Sequence, residues 1–224
     1  PQVLSMAATD EQYKLTYFFN RHNSVDVFAP VLTIYSTVPG DQYDYLNGTS
    51  MASPVAAAVA AMVRLRFPEY SPDETRAVVM STCDNIDTAN GIFLGLYGVG
   101  RVNALNAVSE ASPRWATVVS STFADADADG FFEPNERLRL SLEIRNELAE
   151  LSHAVVHVSP APAAFSPEII NDSVVIGPMA HGQTITLAED ILIDLPSDIP
   201  FNGELRLMIT ITDSSRSVSR QMIT

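Results

Sequence analysis

The spacing of apolar residues changes its period near Ser112 and Pro113, and that change constrains the fold more than any other feature of the 224 residues. Before it, apolar runs alternate between short strand-like pieces and helical ones. "PQVLSMAAT" and "VDVFAP" read as strands, and residues 51–67 read as a helix. "SPDETRAVVMSTC" reads as a second helix, with Ser71 as N-cap, Pro72 in the first turn and Glu74 completing a capping box. "VGRVNALNAVSE" reads as a short closing helix capped by Asn103. After the change the period is two. "RLRLSLEIRN" puts Leu138, Leu140, Leu142 and Ile144 on one face, and "ELRLMITITD" does the same with Leu205, Leu207, Ile209 and Ile211. Further strand-like runs are separated by Pro, Gly and Asn turns, as in an antiparallel β-sandwich of immunoglobulin-like kind. The expectation is two domains: mixed α/β over 1–112 and an all-β immunoglobulin-like sandwich over 113–224.

Charge narrows the partners. Twenty-seven acidic residues against 13 basic ones give a formal charge of −14, which repels phosphate backbones and anionic lipid. No nucleic acid partner is expected. No membrane span is expected either, because the longest apolar run, Met51 to Val63, falls short of the roughly 20 residues a bilayer needs. The single cysteine, Cys83, excludes an internal disulfide framework and reads as a buried, unreactive thiol.

The run "NGTSMASPVAAAVAAMV" places Ser50 just before a helix that is apolar on every side and therefore reads as buried. A serine there lies at the positive end of the helix dipole, beside unpaired N–H groups that would stabilise an oxyanion. Gly48 would permit close backbone approach, and Pro54 would be tolerated in the first turn. The residues alone leave two readings open. Ser50 is a nucleophile, or Thr49 or Ser50 simply caps the helix. No G-x-S-x-G elbow is present, since Ala52 stands at its second glycine.

"GTSMASP" resembles the active-site serine motif of the subtilases, the subtilisin-like serine peptidases. "PQVLSMAATD", "VDVFAP", "IYSTVPG", "YLNGTSMASP", "FPEYSPDETRAVVMSTCDNID" and "YGVGRVNALNAV" follow one another as in the last part of such a catalytic domain, over about residues 1–110. The resemblance implies a partial α/β subtilisin-like domain acting on polypeptide substrates. Ser50 would attack the scissile carbonyl, with its own N–H and nearby Thr49 on the oxyanion, and with Asn47, Gly48 and Met51 around the substrate. Leu46 and Asn47 would line the side that receives the leaving part, and Met51 would be sensitive to oxidation. Val31, Phe19 and Ala58 depart from the family pattern. In the family's order of Asp, His and Ser, the base and its acid precede the serine. His22, in "NRHNS", lacks the family's histidine context and reads as a surface-loop residue. Asp10, Asp26, Asp41 and Asp44 read as turn or strand-end carboxylates, although Asp26 aligns with a weak cation position of some relatives. The chain therefore reads as the C-terminal piece of a secreted or cell-surface peptidase of bacterial type. The competing class is a non-catalytic binding or attachment protein on a decayed subtilase core.

"DADADGFFEPNE", Asp125 to Glu136, follows a calcium-loop template. Asp125, Asp127 and Asp129 offer oxygens from alternate residues, Gly130 allows a sharp turn, and Phe131 offers its carbonyl. Glu133 would act directly or through water, and Glu136 would close the shell. The flanks read as strands, not the helices of an EF-hand. The loop instead resembles the "DGDG…EPGE" loop of β-sandwich domains attached to secreted bacterial peptidases, so a structural Ca²⁺ is expected there and no cofactor for catalysis; the alternative is a solvated acidic turn. His153 and His157, four apart on a strand and so roughly 13 Å apart, are too distant to share a metal.

Overall fold

A computed structural model describes residues 3–16, 24–91, 98–125, 130–214 and 216–224. The chain divides into two compact units, Pro1–Pro113 and Arg114–Thr224.

In the first unit β1 (Met6–Thr9) and β2 (Val27–Pro30) pair in parallel, and β3 (Ile34–Val38) and β4 (Gln42–Leu46) form an antiparallel hairpin. Four helices follow: α1 (Thr49–Arg66), α2 (Pro72–Ser81), α3 (Asp87–Asn90) and α4 (Ala104–Ser109). Helix α2 starts as its sequence predicts. The Ser71 hydroxyl accepts from the Glu74 amide at 3.2 Å, and the Glu74 carboxylate accepts from the Ser71 amide at 2.7 Å. The Asn103 side chain caps α4 by accepting from the Asn106 amide at 2.9 Å.

Helix α1 corrects the expectation of burial on every side. Only the row Ala52, Ala56, Val59 and Val63 is buried, and it packs towards β1, β2, α2 and α4. Ala57, Ala58 and Ala61 are exposed, as are Met62 and, at 84%, Leu65. A helix without a polar face carries no pattern to mark which side is covered, so only the neighbours decide. Cys83 is half-buried. Its thiol donates to the Val79 carbonyl at 3.2 Å, and burial, followed by the charge of Asp84, pushes it above its ordinary pKa.

The second unit consists of β5 (Ala116–Ala124), β6 (Arg137–Asn146), β7 (Leu151–Pro160), β8 (Glu168–Ile169), β9 (Ser173–Met179), β10 (Thr184–Asp194), β11 (Leu207–Asp213) and β12 (Arg216–Ile223). They form two four-stranded antiparallel sheets, in the orders β5-β6-β10-β8 and β12-β11-β7-β9. One apolar core takes Leu138, Leu140, Leu142 and Ile144 from the first sheet, and Val156, Leu207, Ile209 and Ile211 from the second. The period-two pattern of β6 and β11 is thus the inner face of each sheet.

Asp213, at the end of β11, is a buried charge with a full set of partners. Its carboxylate accepts from Arg114 Nη1 at 2.6 Å, the Ser152 amide at 3.0 Å, the Ser152 hydroxyl at 3.1 Å and the His153 amide at 2.7 Å. Burial alone would raise this carboxyl, but the His153 amide, the Ser152 hydroxyl, Arg114 and the Ser152 amide outweigh it and hold it below the ordinary range. Such a group binds its proton more weakly folded than unfolded. Its stabilisation is therefore complete above the ordinary carboxylate value, about 4, and disappears as pH falls through the lower folded value. Asp213→Ala leaves Arg114 and two amides without their acceptor, and should cost about 3 kcal/mol in urea unfolding at neutral pH. The difference from wild type should shrink on acidification below pH 4, and an equal difference at all pH values would refute this role.

Candidate active site

The turn into α1 begins at Gly48, the N-cap, with φ 142° and ψ 159°. That backbone region is essentially reserved for glycine. A Cβ built there would meet nothing closer than Met51 Sδ at 3.8 Å, so the dihedral angles demand glycine. This corrects the expectation that close approach requires it. The Gly48 amide donates to the Val31 carbonyl at 3.2 Å, and its carbonyl accepts from the Met51 amide at 2.9 Å and the Ala52 amide at 3.4 Å. Asn47 anchors the other side, its Oδ1 accepting from the Thr33 amide at 2.6 Å. Val31, a departure from the family pattern, is fully buried beneath the turn.

These bonds leave no capping role for Thr49 or Ser50. Thr49 and Ser50 are the first two helical residues, and no side chain caps the helix. Neither hydroxyl is a capping group, and both side chains are exposed. Among the described residues, nothing accepts from the Thr49 and Ser50 amides. They are two of the orphan donors of a helix N-terminus, and the Ser50 amide lies next to its own hydroxyl. Pro54 is the sixth helical residue, not a first-turn residue as expected. With no N–H, it also leaves the Ser50 carbonyl without the bond a helix would give it.

The head of α1 adjoins two concavities. One, of about 690 Å³, is lined by Asp10, Lys14, Leu15, Thr16, Leu32, Asn47 and Gly48. The other, of about 350 Å³, brings together Ser50, Met51, Pro54, Val55 and Ala58 from α1 with Ile34, Tyr35 and Leu46 from the hairpin. Leu46, Ser50 and Met51 thus share one cavity, while Asn47 and Gly48 face the other. Thr49 lines neither.

No histidine of the first unit lies among the described residues, and His22 and Phe19 fall outside them. Asp10 is a turn carboxylate that accepts from the Gln12 and Lys14 amides, each at 2.9 Å. Asp26 is occupied on both oxygens, by the Ser5 amide at 2.8 Å and by Arg76 Nη2 at 2.6 Å. With a guanidinium already neutralising it, Asp26 is a poor cation ligand.

The acidic loop closes the hairpin between β5 and β6, which pair antiparallel, so strands and not helices flank it. Gly130 has φ +85°, the left-handed turn expected of it, and its amide donates to Asp125 Oδ2 at 2.7 Å. Glu136 Oε2 accepts from the Glu133 amide at 3.0 Å, and the Glu136 carbonyl accepts from the Leu195 amide at 2.8 Å. Phe131 is exposed. Asp127 and Asp129 lie outside the described residues, and among those described no group of three acidic, histidine or cysteine side chains is placed to hold a metal. His153 and His157 both lie on β7, and His157 Nε2 is 3.2 Å from the Thr212 hydroxyl. The aromatic surface on the hairpin beside Ser50 was missed by sequence reasoning, because its members come from two paired strands.

Replacing Gly48 tests the turn. Gly48→Ala should cost on the order of 1–3 kcal/mol, seen as a lower urea midpoint, with Gly91→Ala, at a negative φ and in open space, as a glycine control. An unchanged midpoint would show that the turn relaxes without strain.

Residues 1–100 match the subtilase family, Peptidase_S8. The chain is 37% identical over 102 residues to the M-protease of Shouchella clausii (strain KSM-K16), an alignment covering 46% of this chain and 26% of that protein. It is 37% identical over 107 residues to the thermophilic serine proteinase of Bacillus sp. (strain AK1), covering 48% of this chain and 25% of that protein. Among solved structures, proteases from Pseudoalteromonas arctica PAMC 21717 share 29% identity at a TM-score of 0.42, over 50% of this chain and 36% of that one. The chain spans only about a quarter to a third of the length of the curated relatives it matches, and the similarity to subtilases lies in its residues 1–100.

Proposed function

We propose that Ser50 is the nucleophile of a subtilisin-type serine endopeptidase. One observation carries this reading. Within the segment that matches the family, the Ser50 hydroxyl is exposed at the head of α1 and caps nothing, and its own amide has no partner among the described residues. In the proposed reaction Ser50 Oγ bonds to the scissile carbonyl carbon while its proton passes to a base. The base returns that proton to the leaving amine as the C–N bond breaks, and water then releases the acyl group from Ser50. The oxyanion formed on the way would be held by the Ser50 amide, with Thr49 beside it. In the family's order of Asp, His and Ser, the base and its orienting acid precede the serine.

The second unit is proposed to be an immunoglobulin-like accessory domain of a secreted protein. Its two four-stranded sheets around one core support that reading. The loop of residues 125–136 is proposed to hold a structural Ca²⁺ through Asp125, Asp127, Asp129, the Phe131 carbonyl, Glu133 and Glu136. Hard carboxylate oxygens and the Gly130 turn suit that ion. No described helix is long and apolar enough to cross a membrane.

Three measurements test these readings. In the full-length protein Ser50→Ala should lower peptide hydrolysis by at least about 10³-fold, and unchanged hydrolysis would refute Ser50 as nucleophile. The 224-residue chain alone should resist labelling by a fluorophosphonate, since among the described residues no group accepts from the Ser50 hydroxyl; stoichiometric labelling at Ser50 would show that a base lies within these residues. Calorimetry should detect Ca²⁺ with a Kd on the order of 0.1–1 mM, weakened in Asp125→Asn, and no heat at millimolar Ca²⁺ would exclude the site.

A further inference from the structure

The hairpin beside Ser50 carries a surface that nothing in the serine chemistry requires. Its register places Tyr35 directly opposite Tyr45, and Thr37 opposite Tyr43. Side chains alternate along a strand, so Tyr35, Tyr43 and Tyr45 share one face. Their rings form a continuous cluster. Tyr35 and Tyr45 have centroids 4.8 Å apart at an interplanar angle of 41°, and Tyr35 and Tyr43 are stacked at 5.6 Å and 26°. Each remains about 60% exposed (59%, 61% and 59% for Tyr35, Tyr43 and Tyr45). Among the described residues no group bonds to their hydroxyls. Three neighbouring rings left this open form an apolar patch with polar tips, the composition that marks recognition surfaces.

The patch is continuous with the candidate active site. Tyr35 and Thr37, from the tyrosine face, line the same cavity as Ser50, Met51, Pro54 and Val55, and Ile34 and Leu46 reach it from the opposite face of the hairpin. From Ser50 to Ala58, α1 runs about 12 Å, and Tyr35 is the member of the ring cluster that lines the cavity along this stretch. An extended polypeptide, with side chains every roughly 3.3 Å on alternating faces, is the occupant that this combination fits. The cavity wall is apolar, the platform is aromatic, and the hydroxyls are free to meet peptide carbonyls. The hairpin also has no basic residue and carries Asp41 and Asp44, which disfavours acidic ligands.

We propose that Tyr35, Tyr43 and Tyr45 form a substrate-selecting platform. It favours polypeptides bearing aromatic side chains a few residues to one side of the bond presented to Ser50. This specificity rests on the reading of Ser50 as the nucleophile. Tyrosines suit the task because a large rigid ring is immobilised at low entropic cost.

Binding tests the platform without relying on turnover. In the full-length Ser50→Ala protein, calorimetry would compare two neutral peptides of equal length, one with phenylalanines flanking a central Ala-Ala and one with alanines in their place. The aromatic peptide should bind about three- to tenfold more tightly. Tyr43→Thr/Tyr45→Thr, which keeps strand-favouring residues, should bring that ratio close to one, and Tyr43→Phe/Tyr45→Phe should retain it. Equal affinity for the two peptides, no binding of either, or a ratio unchanged in the threonine variant would each overturn the platform. An unchanged ratio would also be the result if another part of the protein covered the rings. Hydrolysis that survives Ser50→Ala would overturn the nucleophile instead, so the two failures remain distinct.

Discussion

The seating of α1 on the β1–β2 pair is the contact on which the first unit depends. It is made through one row of small and branched side chains, Ala52, Ala56, Val59 and Val63. Alanine at the first two positions lets helix and strands come close, and Phe28 and Val31, in and after β2, are fully buried. Because this row fixes the rotation of α1, it also fixes which first-turn residues turn outward. Ser50 and Met51 of the first turn line the hairpin cavity, followed along the helix by Pro54, Val55 and Ala58.

The entry to that helix makes the serine available. A capping serine spends its hydroxyl on a backbone amide. Here the geometry of Gly48 starts the helix with no side-chain cap, so the hydroxyls of Thr49 and Ser50 and their amides are left unspent. Gly48 is itself held by the Val31 carbonyl, and Asn47 is held by the Thr33 amide. These two bonds tie the chain after β2 to the turn that enters the helix. The same logic of satisfied groups governs the second unit, where Asp213 is tolerated in the core only because four donors surround it.

Local features were legible in the sequence because local bonds make them. The capping box of α2 and the Asn103 cap of α4 involve residues three apart, and the alternation in β6 and β11 follows from the period of a strand. The "GTSMASP" run was legible for a different reason, its similarity to a family. What could not be read involved partners distant in sequence. Arg76 occupies Asp26 from 50 residues away, and Arg114 reaches Asp213 across 99. The tyrosine cluster needs the register of two strands before its rings meet.

By itself, the sequence determined the two grammars of the chain, the starts of its helices, the inner faces of its strands and the position of the serine before an apolar run. The tertiary structure alone decided which side of that run is covered, that glycine starts the helix, and that Ser50 is exposed and spends its hydroxyl on no cap. The reason is physical. Short-range bonds and side-chain periodicity are properties of neighbouring residues, whereas burial and exposure are properties of whatever else packs nearby, and an all-apolar helix carries no record of that.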